Sequence, residues 1–152
     1  MRIGFELNIT DLPSVVDDQR EWYLNNPSYL TTVFNRSRPF LYHVVEELEL
    51  ANLPLELALL PVVESTYDPL AYSSSHAAGL WQFIPSTGQQ YGLTRNRWYE
   101  GRRDVVKSTS AAIIYLSYLH QRFDEDWLLA LAAYNAGEGS VSKAIQKNKK
   151  LF

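Results

Sequence analysis

The sequence contains no cysteine among its 152 residues. Without cysteine the chain can form no disulfide, no thiolate metal site and no thiol nucleophile, and it has no cysteine to carry a lipid anchor. No apolar stretch approaches the roughly 20 residues of a membrane-spanning helix, and no basic segment followed by an apolar run opens the sequence. These absences exclude disulfide-stabilised and thiol-dependent proteins, and they predict no membrane insertion by this sequence.

Excess positive charge is also missing. The chain has 14 Lys and Arg against 17 Asp and Glu, which gives a formal net charge of -3. The dense cationic runs are Arg102–Arg103 and the group Lys147, Lys149 and Lys150. Because nucleic-acid recognition needs a basic surface, we expect no nucleic-acid partner. We interpret Arg102 and Arg103 as solvated or ion-paired residues.

Apolar residues, by contrast, are plentiful. Hydrophobic residues make up 46% of the chain and aromatic residues 13%, which is enough for the core of a single domain. They recur at helical spacing, as in Phe40, Leu41, Val44, Val45 and Leu48, and strict alternation is nearly absent. The sequence therefore predicts an all-α fold.

Four residues have the character of helix ends. Asp104 and Asp126 are expected N-caps, the second of a helix that reads WLLALAAYNA. Gly137 follows that helix directly and is a suitable C-terminal cap. Ser140 is the expected N-cap of a last short helix.

The stretch LALLPVVESTYDP, residues 57–69, has no polar side chain until it reaches Glu64. Pro54 favours a helix start and Asp68–Pro69 a stop, so we predict a helix from about residue 54 to 64. Glu64 would then lie at a helix C-terminus, where the helix dipole and nearby apolar surface both disfavour the charged form. A raised pKa suits a general acid near neutral pH. A solvated terminal glutamate is the alternative, and this stretch alone favours it.

Other polar residues stand in apolar or loop surroundings. Gln82 lies in the glycine-bounded segment GLWQFIPSTGQQYG, where its amide could pair with a sugar or with core backbone. Tyr134 and Asn135 interrupt an apolar helix near its glycine, and ordinary helix termination would explain them. Ser65 and Ser73 alone are weak evidence for a binding site, since serines are common in loops.

The motifs of several other reaction classes are missing. His43, His76 and His120 are scattered along the chain, so we predict no metal site. There is no G-x-S-x-G nucleophile elbow and no glycine-rich phosphate loop followed by Lys-Ser/Thr. The segment 68–79, rich in small and hydroxyl residues, is predicted to be a loop.

Three segments in order carry a resemblance. Glu64-Ser65 after an apolar helix, residues 79–82 (Gly-Leu-Trp-Gln) and residues 133–135 (Ala-Tyr-Asn) resemble the markers of lytic transglycosylases of the soluble-lytic-transglycosylase type. That resemblance implies a lysozyme-like fold of the goose type, and it covers nearly the whole chain. Trp81 stands where the family more often has Met, which is typical of a D-type subgroup and leaves its ring as either groove wall or core.

The resemblance also implies an activity and residue roles. It implies cleavage of the β-1,4 bond between N-acetylmuramic acid and N-acetylglucosamine in peptidoglycan, with a 1,6-anhydromuramoyl product. Glu64 matches the family's acid, which then acts as a base, and Ser73 matches a serine that contacts the substrate acetamido group. The substrate-binding residues implied are Ser65, Ser73, Gln82, Tyr134 and Asn135. A hydrolytic muramidase and a catalytically impaired peptidoglycan-binding fragment are the alternatives.

The carboxylates near Glu64 fit this chemistry. Ordinary glycosidases use two carboxylates, but the obvious second acid here, Asp68, lies in an Asp-Pro turn where a structural capping role is favoured. A single carboxyl group can act first as an acid and then as a base when the substrate itself supplies the neighbouring amide and the attacking hydroxyl. Such a reaction needs neither a second carboxylate nor a cofactor. We therefore expect no cofactor.

The resemblance divides the single domain, residues 1–152, into a helical lead-in over 1–50 and a transglycosylase core over 51–148. Family members continue into a segment of the Thr-x-x-Tyr-Val type and into LysM repeats, and this sequence contains neither, so we expect a catalytic fragment. The expected partner is the glycan strand of peptidoglycan, the expected location is the periplasmic side of the bacterial cell envelope, and we expect a monomer.

Overall fold

The computed structural model describes Leu7 and residues 14–149 of the chain. Its α-helices are α1 Ser14–Asn25, α2 Pro27–Leu50, α3 Leu60–Ser65, α4 Pro85–Gln90, α5 Val105–Arg122, α6 Trp127–Ala136 and α7 Glu138–Lys149. Two 3-10 helices, Leu55–Leu59 and Gly101–Arg103, lie between them. No β-strand forms within the described residues, and the all-α prediction is confirmed.

The chain divides into two compact units, Met1–Ala111 and Ala112–Phe152, which we call the first unit and the second unit. The first unit holds α1 to α4 and the start of α5, and the second holds the rest of α5 with α6 and α7. The division into a lead-in over 1–50 and a core over 51–148 stays a prediction. Parts of it, together with the predicted cationic residue Lys150, lie outside the described residues.

The long helix α2 supplies much of the buried interior of the first unit. Val33, Val44 and Leu48 are at most 1% exposed, and their spacing places them along one side of the helix. Pro27 opens α2 at a position where a missing N–H costs nothing. The 3-10 helix that follows packs against α2 and buries Leu57.

The segment between α3 and α4 is irregular, as predicted for residues 68–79, but its second half is buried. Ala78, Leu80 and Trp81 are 0% exposed. The Trp81 indole N–H donates to Thr109 Oγ1 at 2.9 Å, so the polar end of this buried ring is paired. Trp81 is therefore a core residue, which settles the choice between groove wall and core.

Both predicted aspartate caps are confirmed. Asp126 Oδ1 accepts the Leu129 N–H at 3.0 Å, and Asp104 Oδ1 accepts the Lys107 N–H at 3.0 Å. Each carboxylate thereby satisfies one of the backbone donors that a helix N-terminus leaves open.

Gly137 ends α6 as predicted, but the prediction that Ser140 caps the last helix is wrong. Gly137 has a φ of +86°, which favours glycine, and its N–H donates to the Ala133 carbonyl at 2.9 Å. The chain enters α7 at once, at Glu138, and the Ser140 N–H donates to the Gly137 carbonyl at 3.1 Å. Ser140 therefore lies inside the first turn of α7.

The second unit is built around an apolar cluster. Its buried members are Leu119, Phe123, Ala130, Ala133 and Val141. The two alanines bring a small face of α6 to this cluster, and α6 packs against α7. None of the described helices combines the length and the apolar character that crossing a membrane requires.

Candidate active site

Glu64 is the penultimate residue of α3, so its predicted position at a helix C-terminus is confirmed. The predicted helix over residues 54–64 forms in two parts, and the first part, Leu55–Leu59, is a 3-10 helix. The Leu57 N–H donates to the Pro54 carbonyl at 3.2 Å, which is the three-residue spacing of a 3-10 helix. The α-helical part begins at Leu60.

The Glu64 carboxyl group is partly withdrawn from water. Burial raises the pKa of Glu64 above its ordinary value, which is the direction predicted from the sequence. Val63, the residue before it, is by contrast 68% exposed. A carboxyl group with a raised pKa at the edge of the surface retains a proton at higher pH and can still be reached by a ligand.

The chain leaves α3 through two left-handed residues, Thr66 with φ of +52° and Tyr67 with φ of +56°. This conformation is unfavourable for residues with a side chain, above all for β-branched Thr. Side-chain hydrogen bonds hold it in place. The Tyr67 hydroxyl donates to the Ala58 carbonyl at 2.7 Å, and Arg36 Nη1 donates to Thr66 Oγ1 at 2.8 Å. Backbone strain that the surrounding structure enforces is typical of functional sites.

Ser65 joins the end of α3 to the buried turn that contains Gln82. Its side chain is buried, and its hydroxyl donates to the Leu80 carbonyl at 2.8 Å. This contact positions the neighbouring Glu64. The predicted substrate-binding role of Ser65 stays a prediction, and the hydroxyl proton is committed to the protein backbone.

Gln82 occupies that turn with a left-handed backbone, at φ of +50°. Its side-chain Nε2 donates to the Gly79 carbonyl at 2.8 Å and to the Ala71 carbonyl at 3.4 Å. The sequence left two partners open for the Gln82 amide, a sugar or core backbone. The amide nitrogen binds backbone. The amide oxygen has no donor in the described part of the chain, and it remains able to accept a hydrogen bond from a ligand.

Ser73 opens a tight reversal over residues 72–78, which we call the Ser73 hairpin. The Ser73 N–H donates to the Ala77 carbonyl at 2.9 Å, and the Ala77 N–H donates to Ser73 Oγ at 3.0 Å. Tyr72 and Ala78 form an isolated antiparallel bridge. Since the Ser73 hydroxyl acts as an acceptor within the hairpin, its own proton can be donated to a ligand.

Arg102 supports the Ser73 hairpin through backbone carbonyls, and of its two interpretations from the sequence the ion pair is confirmed and the solvated residue is wrong. Arg102 is 2% exposed, and its Nη1 donates to the carbonyls of His76 at 2.6 Å and Phe83 at 2.9 Å. Its Nε and Nη2 donate to the two carboxylate oxygens of Glu100 at 2.9 and 2.8 Å. These hydrogen bonds from Arg102 lower the pKa of Glu100. One buried guanidinium thus ties the two ends of the segment 76–83 to a third point of the chain.

Gly79 makes the close approach to Arg102 possible. A Cβ at Gly79 would lie 1.8 Å from the Arg102 carbonyl oxygen, and its φ is +81°. Glycine is therefore required at this position on two separate grounds, space and backbone conformation. Of the family markers in the sequence, this glycine has the clearest physical explanation.

Asp68 has the structural role that the sequence favours. Its Oδ1 accepts the Leu70 N–H at 2.9 Å, which stabilises the Asp-Pro turn after α3. The carboxylate nearest in sequence to Glu64 is thus engaged with backbone.

Tyr134 and Asn135 belong to the second unit, at the end of α6. Tyr134 is partly buried against the apolar cluster of that unit, and its ring centroid lies 5.4 Å from that of Tyr115. Asn135 is exposed. The predicted contacts of these two residues with substrate stay predictions. Contacts of Ser65, Gln82 and the Ser73 hairpin link the other predicted site residues within the first unit.

Sequence reasoning missed Arg102 and the hydrogen bonds of Tyr67. The partners of Arg102 Nη1 are backbone carbonyls 26 and 19 residues away, and such partners leave no local pattern in a sequence. The described residues contain no group of three or more His, Cys, Asp or Glu side chains placed to hold a metal ion.

Known proteins resemble this chain over most of its length. The family model described as Transglycosylase SLT domain matches residues 45–151. Membrane-bound lytic murein transglycosylase D of Escherichia coli (strain K12) is 52% identical over 134 residues, which cover 88% of this chain and 30% of that protein. A protein of Alteromonas sp. (strain M-1) named for tributyltin chloride resistance is 50% identical over 116 residues, covering 75% of this chain and 56% of that protein.

A solved structure resembles the chain as well. It is the X-ray structure of an inactive Glu-to-Gln mutant of lytic transglycosylase Slt from Pseudomonas aeruginosa. The TM-score is 0.51 at 30% sequence identity, and the match covers 65% of this chain and 17% of that one. The chain therefore spans well under two thirds of the length of each of these three proteins.

Proposed function

We propose that this chain, which belongs to the transglycosylase SLT domain family, is a lytic murein transglycosylase that cleaves the glycan strands of peptidoglycan. The observation that carries the proposal is Glu64, a partly buried carboxyl group with a raised pKa at the end of a helix whose exit is strained and fixed. The names of the E. coli and P. aeruginosa relatives support the substrate and the type of reaction.

In the proposed first step, protonated Glu64 donates its proton to the oxygen of the β-1,4 bond between N-acetylmuramic acid and N-acetylglucosamine. The bond between that oxygen and the muramoyl C1 breaks, and its electron pair stays with the leaving oxygen. A raised pKa supports this role because it extends to higher pH the range in which Glu64 holds a proton to donate.

In the proposed second step, the Glu64 carboxylate takes the proton of the muramoyl C6 hydroxyl while that oxygen bonds to C1. The product is a 1,6-anhydromuramoyl end, Glu64 is again protonated, and no water is consumed. The engagement of Asp68 with backbone supports a mechanism that uses one carboxyl group as acid and then as base.

The neighbours of Glu64 suit this reaction. The Ser73 hydroxyl and the Gln82 amide oxygen can each bond to the acetamido group or a hydroxyl of the substrate. Ser65 orients the end of α3 through Leu80. Tyr134 and Asn135 are proposed as further substrate contacts on the grounds of their family positions.

The proposal includes a place of action. We propose that the chain acts as a monomer on the periplasmic side of the bacterial cell envelope. The name of the E. coli relative, a membrane-bound murein transglycosylase, supports this location.

Mass spectrometry of the soluble products tests the proposal. Purified peptidoglycan is incubated with the unmutated chain and, in parallel, with Glu64→Gln, which keeps the shape of the side chain but cannot exchange a proton. We expect muropeptides one water lighter than hydrolytic products from the unmutated chain, and a fall in rate of about 10²- to 10⁴-fold in the variant. Circular dichroism of both proteins is the control for folding.

Two results would contradict the proposal. Fully hydrated products that disappear with Glu64→Gln would make the chain a hydrolytic muramidase with the same acid. Binding of peptidoglycan without products from either protein would indicate a binding fragment. The first result would remove only the proposed second step, whereas the second result would remove both proposed steps.

A further inference from the structure

Arg103 and Tyr72 form an exposed pair beside Ser73. The guanidinium carbon of Arg103 lies 5.9 Å from the centroid of the Tyr72 ring, and Tyr72 is 54% exposed. Tyr72 directly precedes Ser73, so their Cα atoms are about 3.8 Å apart. A ligand that reaches Ser73 therefore passes close to a cation and an aromatic face.

Contacts inside the Ser73 hairpin fix the orientation of the Tyr72 ring. The Tyr72 hydroxyl oxygen and His76 Nδ1 are 2.7 Å apart, and the backbone of Tyr72 pairs with Ala78. The His76 carbonyl is held in turn by Arg102. An aromatic ring that is ordered before binding loses little conformational freedom when a ligand arrives.

The positive charge of Arg103 is not neutralised by the acids nearest to it in sequence. The Glu100 carboxylate receives hydrogen bonds from Arg102, and Asp104 Oδ2 accepts the Tyr99 hydroxyl at 2.9 Å. Arg103 is exposed and has no carboxylate partner among the residues that the structure describes. Its guanidinium is therefore free to pair with an anion from outside the chain.

We propose that Arg103 and Tyr72 bind a carboxylate of the peptide branch that the muramoyl residues of a peptidoglycan strand carry. This inference rests on the proposed function, because it takes peptidoglycan as the substrate. A guanidinium matches a carboxylate with two parallel hydrogen bonds. The ring beside it offers a flat apolar face to the carbon atoms of the branch or of the sugar. The pair thus makes the site selective for strands that carry peptides over bare glycan.

Binding measurements in a background that cannot cleave test this inference apart from catalysis. The Glu64→Gln chain and its Arg103→Gln derivative are each titrated with soluble peptide-bearing strands and with the same strands after removal of the peptides. We expect Arg103→Gln to weaken binding of peptide-bearing strands about tenfold, the effect of one charge-assisted pair, and to leave binding of bare strands unchanged.

Arg97→Gln is the matched control. The Arg97 guanidinium carbon also lies over an exposed ring, 5.5 Å from the centroid of Trp98, but in the described part of the chain Arg97 forms no hydrogen bond, ion pair or ring contact with the Ser73 hairpin. This substitution removes the same charge and should change neither affinity.

Tyr72→Phe removes the hydroxyl bond to His76 but keeps the ring. It should weaken binding of the peptide-bearing strands only, and by less than Arg103→Gln does.

The outcomes separate this inference from the proposed function. Equal affinity for the two strand types in the parent, or an equal loss on both in Arg103→Gln, would overturn the peptide-branch site. Stronger binding to vesicles of anionic phospholipid, lost in the same variant, would reassign the pair to a membrane surface. If the unmutated chain yields no products while the Arg103 effect on binding stands, the proposed reaction fails and the site remains.

Discussion

The segment that follows Glu64 and the second unit are stabilised by different kinds of interaction. Residues 66–83 have no helix and depend on directional bonds from Ser65, Tyr67 and Arg102 to backbone carbonyls. The second unit is helical and depends on an apolar cluster around Leu119 and Ala133. Directional bonds fix atoms to within fractions of an ångström, whereas apolar packing tolerates changes of shape at constant volume. The chain places its candidate catalytic carboxyl group, Glu64, beside a segment that directional bonds hold.

The largest difference between the regions should appear at two glycines with nearly equal φ angles. Gly79 has φ of +81° and Gly137 has φ of +86°, but a Cβ would collide with the Arg102 carbonyl only at Gly79. We expect Gly137→Ala to cost about 1–3 kcal/mol, the penalty for a side chain in the sparsely populated region where Gly137 lies, at φ of +86° and ψ of 139°. Gly79→Ala should cost on the order of 3 kcal/mol or more, because it adds forced displacement of backbone.

Urea unfolding followed by circular dichroism measures both costs. Gly92→Ala gives a second control, since Gly92 has φ of +80° and open space around it within the first unit. If Gly79→Ala cost no more than the two controls, the close packing of Arg102 on Gly79 would have no energetic importance.

A smaller difference is expected between two conservative substitutions of buried residues. Arg102→Lys keeps the charge but loses the planar fork, which leaves the carbonyls of His76 and Phe83 without their donor. We expect a loss of about 2–3 kcal/mol in the free energy of unfolding. Leu119→Met, which keeps the volume of a fully buried residue in the second unit, should cost less than about 1.5 kcal/mol.

Activity measurements on Arg102→Lys and Leu119→Met test the role of Arg102 further. Arg102 touches no reacting group in the proposed mechanism and acts by positioning the Ser73 hairpin. Arg102→Lys should therefore raise KM for peptidoglycan and lower the rate under conditions where the protein is still folded, and Leu119→Met should not. Equal activity of the two variants at equal folded fraction would contradict the positioning role.

The smallest expected effect concerns the pH dependence of stability at Glu64. Burial raises the pKa of Glu64 in the folded chain, so the folded state holds the proton more tightly than the unfolded state does. Stability from this source is present below the ordinary pKa of about 4.3 and is lost as the pH rises through the raised folded value.

Glu64→Gln removes that titration, so its Tm should exceed that of the unmutated chain at pH 7, and the difference should vanish near pH 4. Differential scanning calorimetry from pH 4 to 8 measures it. A Tm difference that does not change with pH would show that Glu64 is not perturbed by burial.

Much of this architecture was predictable from the sequence, for reasons that differ between residues. Helical spacing of apolar residues and the caps Asp104, Asp126 and Gly137 are local signals, and they gave the correct fold class and helix ends. The position of Glu64 at a helix end follows from the proline and Asp-Pro pattern around it. The 3-10 helix over Leu55–Leu59 could not be separated from an α-helix, because both share the same apolar residues and differ only in hydrogen-bond spacing.

The remaining features depend on contacts between residues far apart in sequence. Burial of Trp81 depends on Thr109, and the role of Arg102 depends on carbonyls at His76 and Phe83. An arginine next to another arginine looks solvated until its surroundings are known. The predicted N-cap at Ser140 is wrong because α7 begins at Glu138, directly after Gly137, which ends α6.

The way Arg102 holds the Ser73 hairpin has a consequence for how such a site can change during evolution. The guanidinium binds carbonyl oxygens, which every residue supplies, and it makes no demand on the side chains at the tip of the hairpin. Ser74 and Ser75 can therefore be exchanged without loss of the hydrogen bonds that Arg102 donates, whereas His76 also contacts the Tyr72 hydroxyl and has a φ of +63°. New substrate preferences can arise at the two exposed serines through single substitutions, while the geometry around Glu64 is inherited intact.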